Sequence, residues 1–152
     1  MEDGLQISVH NYSSMRWSRN IWTVGAGTNE GVNWTDEVTQ TPLETIEPHN
    51  GGTTAAANTA HLGFLVKDGL WIRLGYKCDE GSFAVEVKQF FHLFGIGGQD
   101  QWRYLDNDWG SRTTDTTPHK WTFKTCQVLA TPKLSETSGL VDVLISDIPK
   151  RP

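Results

Sequence analysis

Apolar and polar residues alternate with a period of two along most of this chain. Leu5, Ile7 and Val9 alternate with Gln6 and Ser8. Val32, Trp34 and Val38 share one parity, with Asn33 and Thr35 on the other. The run Leu70, Ile72, Leu74 and Tyr76 places Arg73 on the opposite face. Phe83, Val85 and Val87 alternate with Glu86 and Lys88, Trp121 and Phe123 with Thr122 and Lys124, and Val141, Val143 and Ile145 with Asp142 and Ser146. Successive side chains of a strand point to opposite faces, so each run predicts a strand with one buried face. β-branched and aromatic residues fill them, as a pleated, half-buried surface favours.

Turn chemistry separates the runs. Asp68-Gly69 predicts a tight hairpin between His61–Lys67 and Leu70–Lys77. Glu80-Gly81 and Ser138-Gly139 predict further turns. Thr53–Ala60 is Ala-rich, but Gly51-Gly52 and several Thr make it a loop or a single short turn. The most irregular segments are Gly25–Gly31, Glu47–Thr59 and Gly95–Pro118, with Gln101–Leu105 as a strand inside the last. No stretch has a sustained helical period, and there is no internal repeat or domain boundary. Many short strands joined by turns predict an all-β antiparallel β-sandwich, with residues 1–152 forming a single domain.

Composition narrows the partners. The net charge of −5 argues against nucleic acid, which is held by clustered Lys and Arg. It also argues against capture by an anionic membrane through charge alone, and leaves a zwitterionic head group open. No apolar run approaches the roughly 20 residues of a spanning helix, and Met1-Glu2-Asp3-Gly4 does not open a signal peptide. The expectation is a soluble protein, secreted or released either by another route or after removal of a signal. Asn11-Tyr12-Ser13 and Asn33-Trp34-Thr35 match the glycosylation acceptor by coincidence. Cys78 and Cys126 lack C-x-x-C spacing and read as two separate thiols, with pairing left to the fold.

Motifs for catalysis or cofactors are missing. The five His are scattered, without ligand spacing. Asp106-Asn107-Asp108 lacks the later ligands of a calcium loop and reads as a solvated turn. Gly25-Ala26-Gly27 and Gly95-Ile96-Gly97-Gly98 do not complete a dinucleotide fingerprint and read as flexible turns. No serine occupies a nucleophile elbow. No cofactor is expected.

The aromatic residues are more informative. The chain holds seven Trp. Trp34 and Trp121 lie in strand patterns and are expected in the core. Trp102, Tyr104 and Trp109 lie in the long Gly95–Pro118 segment beside Arg103 and Arg112, and Trp22 lies early, near Arg16 and Arg19. Aromatics on a turn-rich segment are poor core candidates. Exposed Trp and Tyr suit a membrane interface, and an aromatic face holds a choline-type cation. Trp22, Trp102, Tyr104, Trp109 and Arg112 are therefore the candidate lipid-binding residues.

The stretch Gln101–Thr113, which ends Asp106-Asn107-Asp108-Trp109-Gly110-Ser111-Arg112-Thr113, resembles a run of the aegerolysins that ends D-C-P-W-G-S-K-T. Asp106, Trp109, Gly110, Ser111 and Thr113 match, and Arg112 keeps the charge of the lysine. Val9-His10-Asn11 is similar to the family's opening strand, and Ser138-Gly139-Leu140 echoes its close. Asn107-Asp108 stands in place of Cys-Pro, and residues from about Pro48 to Leu62 diverge. Aegerolysins are small β-sandwich proteins, many of which recognise a membrane lipid and recruit a larger pore-forming partner. The resemblance implies a lipid-binding component of a cytolytic or insecticidal system, engaging a zwitterionic or sphingolipid head group. Actinoporins share the general shape but insert an N-terminal amphipathic helix, for which a first strand near Leu5 leaves no room. Two other readings compete. A lectin would stack sugars on the same Trp and accept hydroxyl hydrogen bonds at Asp106, Asn107 and Asp108. A hydrolase would assemble its acid pair from distant positions.

Overall fold

The computed structural model describes residues 4–26, 29–30, 38–58, 69–89, 99–136 and 138–150. Within them the chain forms twelve strands and no helix. They are β1 (Gly4–Asn11), β2 (Trp17–Ala26), β3 (Asn29–Glu30), β4 (Val38–Gln40), β5 (Thr45–Ile46) and β6 (Gly51–Asn58), then β7 (Leu70–Cys78), β8 (Gly81–Lys88), β9 (Gln101–Leu105), β10 (His119–Thr122), β11 (Cys126–Leu134) and β12 (Ser138–Asp147). One sheet has the order β10-β11-β12-β1-β6-β4; the other runs β3-β2-β7-β8-β9, with β5 also paired to β2. Only β1 and β12 pair in parallel; the remaining pairs are antiparallel. This is the all-β sandwich that the alternation predicts.

The core is the sum of the inward parities. Leu5, Ile7 and Val9 of β1 meet Val141, Val143 and Ile145 of β12 and face Ile72, Leu74 and Tyr76 of β7 and Phe83, Val85 and Val87 of β8. Trp17 and Trp121 close one end of the core around Phe83, with ring centroids 5.4 and 5.7 Å from it. Burial of such apolar surface is the main favourable term of the fold.

Several expectations are corrected. Residues 51–58, read as loop or short turn, form β6, in which Ala55 and Ala57 face the core opposite Ile7 and Leu5. Alanine has little strand preference of its own, and here pairing to β1 and β4 overrides it. Gly25 and Ala26 are not a free turn but the end of β2, paired to β7. Ser138-Gly139 opens β12; the turn lies one step earlier, where Ser135 N–H donates to the Ser138 carbonyl. Of the Asp68-Gly69 hairpin only Gly69 is described, and it takes the positive φ of 78° that such a turn requires. The strands predicted at His61–Lys67 and around Val32 and Trp34, and the Gly95–Gly98 turn, lie outside the described residues. The acceptor asparagine Asn11 is fully buried, and its Nδ2 donates to the carbonyls of Met15 (2.8 Å) and Glu47 (3.0 Å), so it is closed to glycosylation in the folded chain.

Two core acids set the alkaline limit of the fold. Burial pushes the Tyr76 hydroxyl from 10.0 up to about 12 while it donates to the Leu43 carbonyl. Burial, then the neighbouring Cys78 thiol and Glu80 carboxylate, push the Cys126 thiol from 9.0 up to about 12. In the unfolded chain both groups lose their protons earlier. Their contribution is therefore complete below about pH 9 and is lost as pH rises toward 12, by at most about 1.4 kcal/mol per pH unit for each group. Thermal midpoints are expected to fall steadily between these limits, and less steeply in Cys126→Ala. A flat profile would contradict the assignment.

Candidate functional site

β9 divides the predicted aromatic residues between two faces. Alternation turns Trp102 and Tyr104 inward and Arg103 outward. Trp102 is 1 % exposed, and its Nε1 donates to the Asp115 carbonyl at 2.7 Å. Placing it on an exposed loop is thus corrected: it is a core residue that anchors the segment after β9. Tyr104 is half-buried and stacks on His119 at 3.6 Å between centroids, with planes 8° apart. His119 stands edge-on to Trp121 and meets Asp106 Oδ1 at 3.2 Å. Trp22 is half-buried and packs against the core from β2, in register with Leu74. These three side chains brace the interior and do not join a common surface.

Trp109 and Arg112 come together on the outer face of the same sheet. After β9 the chain turns through the exposed residues Asp106, Asn107 and Asp108 and folds back beside β9, with bridges Leu105 to Trp109 and Trp102 to Thr113. The returning segment lays both side chains over the outward row of the sheet. That row is set by register: Thr23 pairs with Arg73, Arg73 with Glu86, and Glu86 with Arg103.

Glu86 is fully buried and gathers three guanidinium groups. Arg112 donates from Nε (3.1 Å) and Nη2 (2.7 Å) to Oε1, Arg103 Nε donates to Oε2, and Arg73 Nε lies 3.7 Å from Oε2. Arginine is always charged, so the cluster carries two positive charges beyond its carboxylate. Trp109 covers it: the Arg73 and Arg103 guanidinium carbons lie 5.2 and 5.1 Å from its ring centroid, and Arg73 also lies 4.2 Å from the buried Trp71 ring. Cation–π attraction and the ion pairs hold these groups in one arrangement.

This arrangement is chemically suited to anions. Cationic donors at fixed positions beside an aromatic face match a phosphate joined to an apolar or cationic neighbour. Among the described residues, no three His, Cys, Asp or Glu side chains are grouped to hold a metal ion. No helix in them is long and apolar enough to cross a membrane.

Arg73, Glu86 and Trp71 were not singled out as site residues from the sequence. A signal was present. Arg73 and Glu86 are the charged outward positions of two adjacent alternating strands, and the Asp79-Glu80 turn sets Cys78 opposite Gly81, which places Arg73 opposite Glu86.

No family model matches the chain, and no curated protein matches it. A solved structure that does match is that of a lipid binding protein, Nakanori. It superposes with a TM-score of 0.63 over 96% of this chain and 72% of its own, at 12% identity. At that identity the likeness is one of fold: the sandwich described here is an arrangement also found in a known protein.

Proposed function

We propose that this protein binds a membrane lipid through the arginine cluster under Trp109. The observation that carries the reading is the excess of positive charge around Glu86, clasped to a half-buried Trp on one sheet face. Arg112 and Arg103 engage the head-group phosphate. The Trp109 ring enters the interface, where an indole meets acyl chains and keeps its N–H wet. A zwitterionic head group such as phosphocholine, on a glycerophospholipid or a sphingolipid, fits a site with a cationic cluster and an aromatic face in a protein of negative net charge. The fold likeness to a lipid binding protein and the aegerolysin-like run from Asp106 to Thr113 support the same reading. In that reading the chain is the recognition component of a cytolytic system and recruits a separate pore-forming protein.

Co-sedimentation with vesicles of phosphatidylcholine, sphingomyelin and sterol mixtures tests the proposal. The folded protein is expected to pellet with at least one phosphocholine-bearing mixture. Trp109→Ala removes about 1–2 kcal/mol of cation–π and interfacial contact, so binding should weaken roughly tenfold while near-ultraviolet dichroism stays close to that of the parent. Folded protein that pellets with no mixture would end the membrane reading.

The lectin reading has one observation of its own. The exposed acceptors Asp106 and Asn107 border a shallow recess also lined by Phe83 and Trp121. A glycan array, with soluble sugar competing for vesicle binding, separates the two readings.

A further inference from the structure

The turn between β7 and β8 leans on the opposite sheet and brings both cysteines to one end of the sandwich. Cys78 ends β7, directly opposite Gly81, and Cys126 opens β11. Both take the inward parity of their strands: Cys78 continues the series Ile72, Leu74 and Tyr76, and Cys126 begins the series Val128 and Ala130. Glu80 spans the gap between the sheets. Its Oε1 accepts from the Thr125 N–H at 2.8 Å and from Cys126 Sγ at 3.6 Å, and its Oε2 accepts from the Thr125 hydroxyl. Gly81 is seated so closely that a Cβ there would stand 2.5 Å from the Phe123 ring. Cys78 lies two residues before Glu80 and opposite Gly81, so the Glu80 contacts to Thr125 and Cys126 bring the two cysteine-bearing strand ends together.

The two thiols, both free in this structure, differ in access. Cys126 is fully buried. Cys78 is half-buried and lines an open cleft with Met15, Arg16 and Lys77. Of the two, Cys78 is the thiol that a soluble disulfide can reach first.

We propose that Cys78 and Cys126 are a redox pair that closes to a disulfide in an oxidising medium and staples the two sheets together at this end. With glutathione disulfide as oxidant, the Cys78 thiolate attacks one sulfur, the S–S bond breaks and one glutathione thiolate leaves. The Cys126 sulfur then attacks the Cys78 sulfur and expels the second glutathione thiolate, which takes up the Cys126 proton. Two protein thiols are oxidised and one glutathione disulfide is reduced to two glutathiones, which take up the two protons released. Cys78 is the entry point and Cys126 resolves.

The test is incubation of the folded full chain with glutathione disulfide, without denaturant, followed by alkylation and intact mass measurement. The expected product has lost two hydrogen masses, takes up no alkylating agent and yields one cross-linked peptide pair. Its thermal midpoint should rise by roughly 5–10 °C, since a disulfide restricts the unfolded chain, and dithiothreitol should reverse the rise. Cys126→Ser is expected to stop at a stable glutathione adduct on Cys78, and Cys78→Ser to form no adduct. A wild-type product that keeps two alkylatable thiols, or rests as a glutathione adduct, overturns the proposal. Should Cys126→Ser fail to fold, the wild-type peptide map decides alone.

Discussion

Glu86→Gln is expected to lower the stability of the domain by about 3–5 kcal/mol, the usual cost of removing one partner from a buried ion pair. Glu86 sits on β8 between β7 and β9, fully buried, and is the negative partner of three guanidinium groups. Glutamine keeps the size and one acceptor oxygen but removes the charge. Arg73, Arg103 and Arg112 are then held side by side, with repulsion where there was attraction, and at the low effective dielectric of a covered site this is not screened as in water. None of the three can escape by losing its proton. Relief comes only by swinging Arg112 outward, which undocks the segment carrying Trp109. At about 2–4 °C per kcal/mol for a domain near this size, the thermal midpoint should fall by roughly 10 °C. Urea unfolding of the variant checks the figure; a loss below about 1 kcal/mol would match an exposed surface ion pair and reject the account of a buried cluster.

How this cluster forms also shows what the sequence could and could not disclose. The strands with clean alternation, β1, β7, β8 and β12, are legible because their inward residues are large and apolar without interruption. β2 is not, although it has ten residues. A bulge between Arg19 and Ile21 shifts its register, so the core-facing Trp17 is odd-numbered whereas Trp22 and Val24 are even. β11 hides for another reason. Its inward residues are Cys126, Val128, Ala130 and Pro132, two of them small and one a proline. Pro132 is tolerated because it lies past Ala130, the last residue of β11 that β10 pairs.

The site was half legible for a similar reason. Trp109 and Arg112 stand out by type and spacing. Trp102 stands out equally but belongs to the core, because five residues within the long segment form β9 and that strand alternates. Composition marks a turn-rich stretch; it does not say which side of a short strand inside it faces in. Arg73 and Glu86 required the pairing of strands, which a single strand's pattern does not contain.

The remaining prediction is that the chain binds vesicles without emptying them. A transmembrane barrel needs strands of about nine to eleven residues that alternate apolar and polar. Four strands meet the length: β2, β7, β11 and β12. Each is already committed. β7 lies between β2 and β8, and β12 between β11 and β1. Their inward residues, Ile72, Leu74 and Tyr76 with Val141, Val143 and Ile145, are the centre of the core. Drawing β7 alone into a bilayer would strip several fully buried side chains from the sandwich at about 1.5–3 kcal/mol each. That approaches the whole stability of a domain, about 5–15 kcal/mol. β2 carries the bulge, and β11 the proline, each of which interrupts a regular ladder. Membrane contact by Trp109 and the arginine cluster asks for none of this, since both already lie on an outer face. Dye-filled vesicles that the protein is shown to bind should therefore keep their contents, and the β7 amides should remain protected from hydrogen exchange on the membrane. Prompt, complete leakage caused by the purified chain alone, with β7 losing its protection, would show that the sandwich opens and that no second protein is needed.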